Sequence, residues 1–188
     1  RYDSPAAFQD RVPVREATTV EGHAVRALYL TTGAADLYLE TGETLLLETL
    51  TGQWQDMVES KPYLTGGVGA RHLAESFGLP YELPSDLAYG ETCGGIASIM
   101  WSWRMLLATG AARYADLIER TLYNAILAGV SLSGERYFYV NPLASDGEAE
   151  HLHRGGPLRK PWHLVACCPP NVMRLLASLG HYVATRDG

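Results

Sequence analysis

Residues 92–128 read TCGGIASIMWSWRMLLATGAARYADLIERTLYNAILA, and this stretch decides the fold. From Thr92 to Thr109 it is apolar nearly all round, as expected of a helix buried between neighbours. Gly110 ends that run, and from Ala112 to about Ala128 the pattern becomes amphipathic, with Ala115, Ile118, Leu122, Ala125 and Ile126 on one stripe. Two helices joined by a short glycine turn make a helix hairpin, the repeating unit of all-helical solenoids and toroids.

Working outward, Val14 to about Thr32 carries apolar residues at roughly helical spacing, with Gly33 as a plausible C-cap. A short helix from Ala34 to about Glu40 and a longer one over Glu43 to Glu59 follow, the latter with Leu46, Leu50, Trp54 and Met57 on one stripe. Some thirty residues of different character come next, holding Gly66, Gly67, Gly69, Gly78 and Gly90 with Pro62, Pro80 and Pro84. A long loop so rich in aromatic and apolar residues reads as functional rather than disordered. On the C-terminal side, VSLSGERYFYVNPL alternates around Ser133-Gly134 and reads as a β-hairpin. A polar loop from Ala144 to Pro161 then leads to ACCPPN and a final helix from about Pro170 to Ala184. The composition is that of a mainly α chain, a single domain over residues 1–188. Six or seven helices do not close a ring of twelve, so within a closed α/α toroid the chain forms only a part.

The formal charge of -6 argues against nucleic-acid or anionic-membrane partners. Thirteen arginines against two lysines are scattered rather than clustered. No run of 18 apolar residues and no basic-then-apolar leader pattern is present, which gives the expectation of a cytoplasmic protein.

Three cysteines, Cys93, Cys167 and Cys168, do not make a disulfide framework. With Glu91 of GETC they form a set of one carboxylate and three thiols, a donor set that suits zinc. Glu91 and Cys93, two residues apart, would diverge by about 200° on a regular helix. They converge on one ion only at a helix entrance, which the flanking glycines permit. The CCPPN prolines favour a helix start at the cysteine pair, placing the thiols at the positive end of a helix dipole. Residue types alone leave three readings open: a metal site, a buried structural pair and a redox pair. Glu75, among Leu73, Phe77 and Leu79, reads either as a desolvated general acid or as a solvated loop carboxylate. His23 in EGHAVRALYL reads as a core histidine or as a site residue.

The segments VEGHAVRALYL, YLTGGVGARHLAESFG, LAYGETCGGIASIMWSWRMLLATG, ARYADLIERTLYNAIL, YFYVNPLAS and ACCPPNVMRLLASLG together resemble the catalytic domain of glycoside hydrolase family 127, the β-L-arabinofuranosidase-type enzymes. The resemblance covers nearly the whole chain, in order. It implies the second half of an (α/α)6 barrel, ending near Arg186-Asp187-Gly188, with β-sandwich domains downstream. It further implies zinc on Glu91, Cys93, Cys167 and Cys168, Cys167 as the nucleophile, Glu75 as acid/base, and His23 and Tyr139 as sugar contacts. The implied partner is an arabinofuranoside of plant-type glycans. Half a ring exposes its inner helices, which admits association into a homodimer. Two rival expectations are a glycosidase of the same fold acting on another unusual plant sugar, and a non-catalytic, zinc-stabilised helical fragment with Glu75 exposed and far from Cys167.

Overall fold

The computed structural model describes residues 4–145 and 158–184. The expected boundary near Arg186-Asp187-Gly188, and most of the polar loop before the cysteine pair, lie outside the described residues.

The chain is mainly helical. Helices α1 (Ala24–Thr41) and α2 (Thr44–Ser60) form one hairpin, and α3 (Thr92–Thr109) and α4 (Ala112–Thr121) a second. Helix α5 (Cys168–Ala177) packs against α3. Both hairpins turn on a left-handed glycine, Gly42 (φ 69°) and Gly110 (φ 69°). Their amides reach back to Tyr38 O and Leu106 O at 2.8 Å, closing each helix with the conformation that costs glycine least.

Helix α3 is the central element. Every residue from Glu91 to Ile99 is buried, as the all-round apolar pattern requires. Its Trp101 and Met105 join Leu28, Leu46, Leu50, Trp54 and Met57 in one core, while Ile96 and Ile99 meet Ile126, Val172 and Leu175 in another. Each of these side chains contributes about 1.5–3 kcal/mol by leaving water. The one polar group Trp54 brings into the core, its indole N–H, donates to Ser102 Oγ at 3.1 Å.

Four local expectations give way to other geometry. The helical spacing from Val14 to Thr32 yields only one 3-10 turn, Val14–Glu16, and α1 starts at Ala24. The β-branched Thr18, Thr19 and Val20 and the left-handed Gly22 (φ 75°) favour an extended path there. Gly33 does not stop α1, which runs through it to Gly42; Gly33 faces solvent, where its weak propensity costs only about 1 kcal/mol. The expected β-hairpin is present as a reversal, with Gly134 N–H bonded to Ser131 O and one antiparallel bridge between Val130 and Tyr137. Tyr137 bridges on its other side to Lys160, and no regular strand forms among the described residues. The last helix is shorter than expected, giving way after Ala177 to a 3-10 turn at Leu179–Tyr182. Beyond Thr121 the chain loosens into a π-helical turn, Leu122–Ile126. No helix among the described residues is long and apolar enough to cross a membrane.

Candidate active site

The N-terminal ends of α3 and α5 meet at a small cluster of Tyr89, Cys93, Tyr139, Val140 and Cys168. Glu91 is the non-helical residue at the entrance of α3 (φ -58°, ψ 133°), so its side chain and that of Cys93 turn to the same side. Cys167 precedes α5 with backbone angles that are already helical (φ -76°, ψ -40°), and Pro169 and Pro170 lie in the first turn. The Cys93 and Cys168 sulfurs are 3.6 Å apart, those of Cys167 and Cys168 3.7 Å. Cys167 Sγ lies 3.4 Å from Glu91 Oε1. The donor atoms of Glu91, Cys93, Cys167 and Cys168 all fall within 4.8 Å of one another, and the group could hold a metal ion.

The segment carrying Tyr139 is stitched to the same entrance. Thr92 N–H donates to Tyr139 O (3.0 Å), Thr92 Oγ1 to Phe138 O (2.8 Å), and Asn141 Nδ2 to Gly90 O (2.8 Å). This contact explains Gly90: a Cβ there would sit 2.8 Å from Asn141 O, at φ 48°. The result is a Tyr139 hydroxyl 3.3 Å from Cys167 Sγ. The edge of His163 packs on the Tyr139 ring (centroids 5.5 Å), and its Nε2 pairs with Tyr137 O at 3.1 Å.

The charge balance is equally specific. Burial, then the negative Cys167, then Glu75, push the Glu91 carboxyl up to about 9. Cys167 is driven far below the usual thiol range, chiefly by the Cys168 thiol, then by Cys93, with Tyr139 and Glu91 adding to the effect. Cys93, Cys168 and Tyr139 are all raised, Cys93 and Cys168 first by their hydrogen bonds to Cys167 and Tyr139 first by burial. Burial and mutual proximity oppose ionising all of these groups together. A divalent cation removes that restriction, because its charge deprotonates every ligand it touches. Glu91 Oε2 is buried with no hydrogen-bond partner, an orphaned polar atom that a cation held by this carboxylate would satisfy.

Glu75 reaches the same place from the long loop. It closes a 3-10 turn, Leu73–Glu75, in which Ala74 (φ 57°) and Glu75 (φ 50°) are both left-handed. Such a conformation costs a side-chain-bearing residue roughly 1–2 kcal/mol and persists only when the surroundings impose it. Here they do: Arg71 and Ser76 exchange backbone hydrogen bonds at 3.1 Å, and Phe77 N–H donates to Gly22 O at 2.9 Å. Glu75 is 7% exposed, as is His23, whose Nε2 lies 3.0 Å from Glu75 Oε2. The alternative of an exposed loop carboxylate is thereby removed.

A cleft of about 620 Å³ opens over this ensemble, and His23, Glu75, Glu91, Cys93, Tyr139 and Cys167 all line it. Of the residues singled out in the sequence, only Cys168 lies behind the wall. The cleft has further lining that the sequence reading passed over. Asn171 Nδ2 donates to Tyr29 Oη at 3.0 Å, and Arg174 Nη2 to the same oxygen at 2.7 Å. Residues 167, 171 and 174 fall on one face of a helix starting at CCPPN, and that spacing was the available signal.

Residues 1–181 match the family model of the β-L-arabinofuranosidase, GH127 catalytic domain, and the chain belongs to that family. A non-reducing end β-L-arabinofuranosidase of Bifidobacterium longum subsp. longum is 42% identical over 191 residues, an alignment covering 100% of this chain and 29% of that protein. The crystal structure of a GH127 β-L-arabinofuranosidase from Geobacillus stearothermophilus T6 superposes with a TM-score of 0.93 at 42% identity, over 99% of this chain and 30% of that one. A second solved GH127 β-arabinofuranosidase gives 0.88 at 44% identity, over 97% and 27%. The chain thus spans about three-tenths of the length of these relatives.

Proposed function

We propose that this chain forms the active-site half of an (α/α)6 barrel in a retaining glycoside hydrolase that releases β-L-arabinofuranose from plant-type glycans, with β-sandwich domains following it. The observation that carries the reading is one cleft lined both by a buried carboxyl, Glu75, and by the Cys167 thiol, whose sulfur lies 3.4 Å from Glu91 Oε1 and 3.3 Å from Tyr139 Oη. Family membership and the relatives' names supply the sugar.

Zinc fits the donor set. Tetrahedral bonds of about 2.3 Å to sulfur and about 2.0 Å to oxygen put thiolate sulfurs about 3.8 Å apart and a thiolate–carboxylate edge at about 3.5 Å. The separations here are 3.6 and 3.7 Å between sulfurs, 3.4 Å from Cys167 Sγ to Glu91 Oε1 and 4.0 Å from Cys168 Sγ to the same oxygen, with the whole donor set inside 4.8 Å. Zinc bound by Glu91, Cys93, Cys167 and Cys168 supplies the positive charge that keeps the thiols ionised at neutral pH.

The residues then divide the reaction between them. The Cys167 thiolate attacks the anomeric carbon, and the glycosidic C–O bond breaks as Glu75 gives its proton to the leaving oxygen. A thioglycosyl bond links sugar and Cys167. Glu75, now a carboxylate, takes a proton from water, whose oxygen attacks the same carbon and releases Cys167 as thiolate. Two inversions give net retention. Tyr139 donates its hydroxyl hydrogen to the Cys167 sulfur, orienting the attacking lone pair, and His23 contacts both Glu75 and the sugar.

The test is hydrolysis of aryl β-L-arabinofuranosides by the full-length protein, with metal content measured in parallel. Cys167→Ala is expected to abolish turnover. Full activity in a zinc-loaded Cys167→Ser variant would overturn covalent catalysis by this residue.

A further inference from the structure

We infer that Lys61 is a positioning residue for the His23–Glu75 pair, an inference that rests on the acid/base role proposed for Glu75. Lys61 caps the C-terminus of α2, where a cation meets the negative end of the helix dipole, and is 6% exposed. A buried ammonium must spend its three hydrogens on acceptors. Those of Lys61 go to Val20 O (2.7 Å), Asp56 Oδ2 (2.9 Å) and Thr19 Oγ1. Thr19 Oγ1 in turn donates to Asp56 Oδ2. One cation therefore fastens residues 19–20 to α2.

That fastening lies directly behind the acid. Three residues beyond Val20 comes His23, and the connecting Gly22 is wedged so that a Cβ would fall 1.9 Å from Ala6 O. Gly22 O accepts from Phe77 N–H, and His23 forms a bridge with Ser76. The Lys61 ammonium also faces the Phe77 ring at 5.9 Å. The residues on both sides of the His23–Glu75 contact thus trace back to Lys61. Two consecutive left-handed residues, Ala74 and Glu75, hold only while that frame holds. The metal-ligand cluster is built from α3 and α5 and does not use Lys61.

The experiment compares kcat/KM of the full-length enzyme on an alkyl and a 4-nitrophenyl β-L-arabinofuranoside. Alkoxide departure needs the proton from Glu75, whereas nitrophenolate leaves with little help. Glu75→Gln sets the signature of a lost acid. Lys61→Met is expected to lower the alkyl substrate by about 10²-fold, the cost of a misplacement near 1 Å, with a much smaller effect on the nitrophenyl substrate and unchanged zinc content. Lys61→Arg, which keeps the charge and the donors, should recover part of the loss. If Lys61→Met fails to fold, Thr19→Val removes one of its acceptors and should show the same selectivity at smaller size. A purely structural Lys61 would lower both substrates equally, and that result, or no loss, in a folded variant overturns the inference while leaving the Glu75 reading intact. Absence of selectivity in Glu75→Gln itself overturns the acid role and this inference with it.

Discussion

His23 Nε2 and Glu75 Oε2 lie 3.0 Å apart, both side chains nine-tenths or more buried, although 52 positions separate them in the chain. The contact brings the entrance of α1 and the long loop to one wall of the cleft.

Removing the carboxyl proton at this contact should separate chemistry from metal binding. Glu75→Gln in the full-length enzyme is expected to lower kcat/KM on alkyl substrates by about 10²–10⁴-fold. Metal content should stay at the wild-type value, because the four side chains that could hold the ion come from other elements. Atomic emission analysis beside steady-state kinetics checks both halves.

The ligand set responds differently. Cys93→Ala and Cys168→Ala each remove a buried ligand whose sulfur touches another ligand at 3.6 Å. Loss of an outer-shell partner alone lowers metal affinity about 10–100-fold, so loss of a ligand should exceed that. Competition with a chromophoric chelator measures it, and the same chelator should remove metal and activity together from the wild type.

Loop geometry also has a pH signature. Arg71 Nε donates to Glu82 Oε1 at 2.6 Å and Leu79 N–H to Oε2 at 2.8 Å, closing the loop that presents Glu75. Arg71 first, then the Leu79 amide, hold the Glu82 carboxyl down to about 2. A carboxyl depressed in the folded state contributes stability that is fully present above the unfolded value near 4.3 and is lost as pH falls toward 2. The pair is a third or more exposed, so its worth stays below about 1 kcal/mol. Glu82→Gln should lower the thermal midpoint slightly at pH 6, and the difference should shrink steadily as pH falls from about 5 through about 2.

Packing around the π-helical turn crowds an added methyl group at two glycines. A Cβ on Gly95 would meet Ile126 Cδ1 at 2.8 Å, and on Gly66 it would meet Thr121 Oγ1 at 2.3 Å, with φ at 86°. Overpacking of this kind costs about 1–3 kcal/mol. Gly66→Ala, strained in backbone as well, should lower the thermal midpoint more than Gly95→Ala.

Much of this was legible in the residues. The all-round apolar pattern of α3 and the amphipathic stripe of α4 gave the second hairpin, because periodicity reports burial directly. ETC and CCPPN pointed to the four side chains that the fold brings together and that could hold a metal ion, since both sit at helix entrances. Periodicity misled at Val14–Val20, where spacing is helical but β-branched residues and Gly22 keep the chain extended. Gly33 looked like a stop because nothing local distinguishes a tolerated exposed glycine from a C-cap. Long-range contacts were beyond local reading: Lys61 at Val20, Arg174 at Tyr29 and His163 on Tyr139 depend on tertiary packing alone.

The most direct test of covalent catalysis is mass spectrometry of the full-length Glu75→Gln variant, quenched in acid during turnover of a 4-nitrophenyl β-L-arabinofuranoside. A Cys167 nucleophile requires a peptide carrying one anhydropentose on Cys167, accumulating because the base that activates water is gone. Release of arabinose with Cys167 unmodified throughout, or the sugar on another residue, would contradict it.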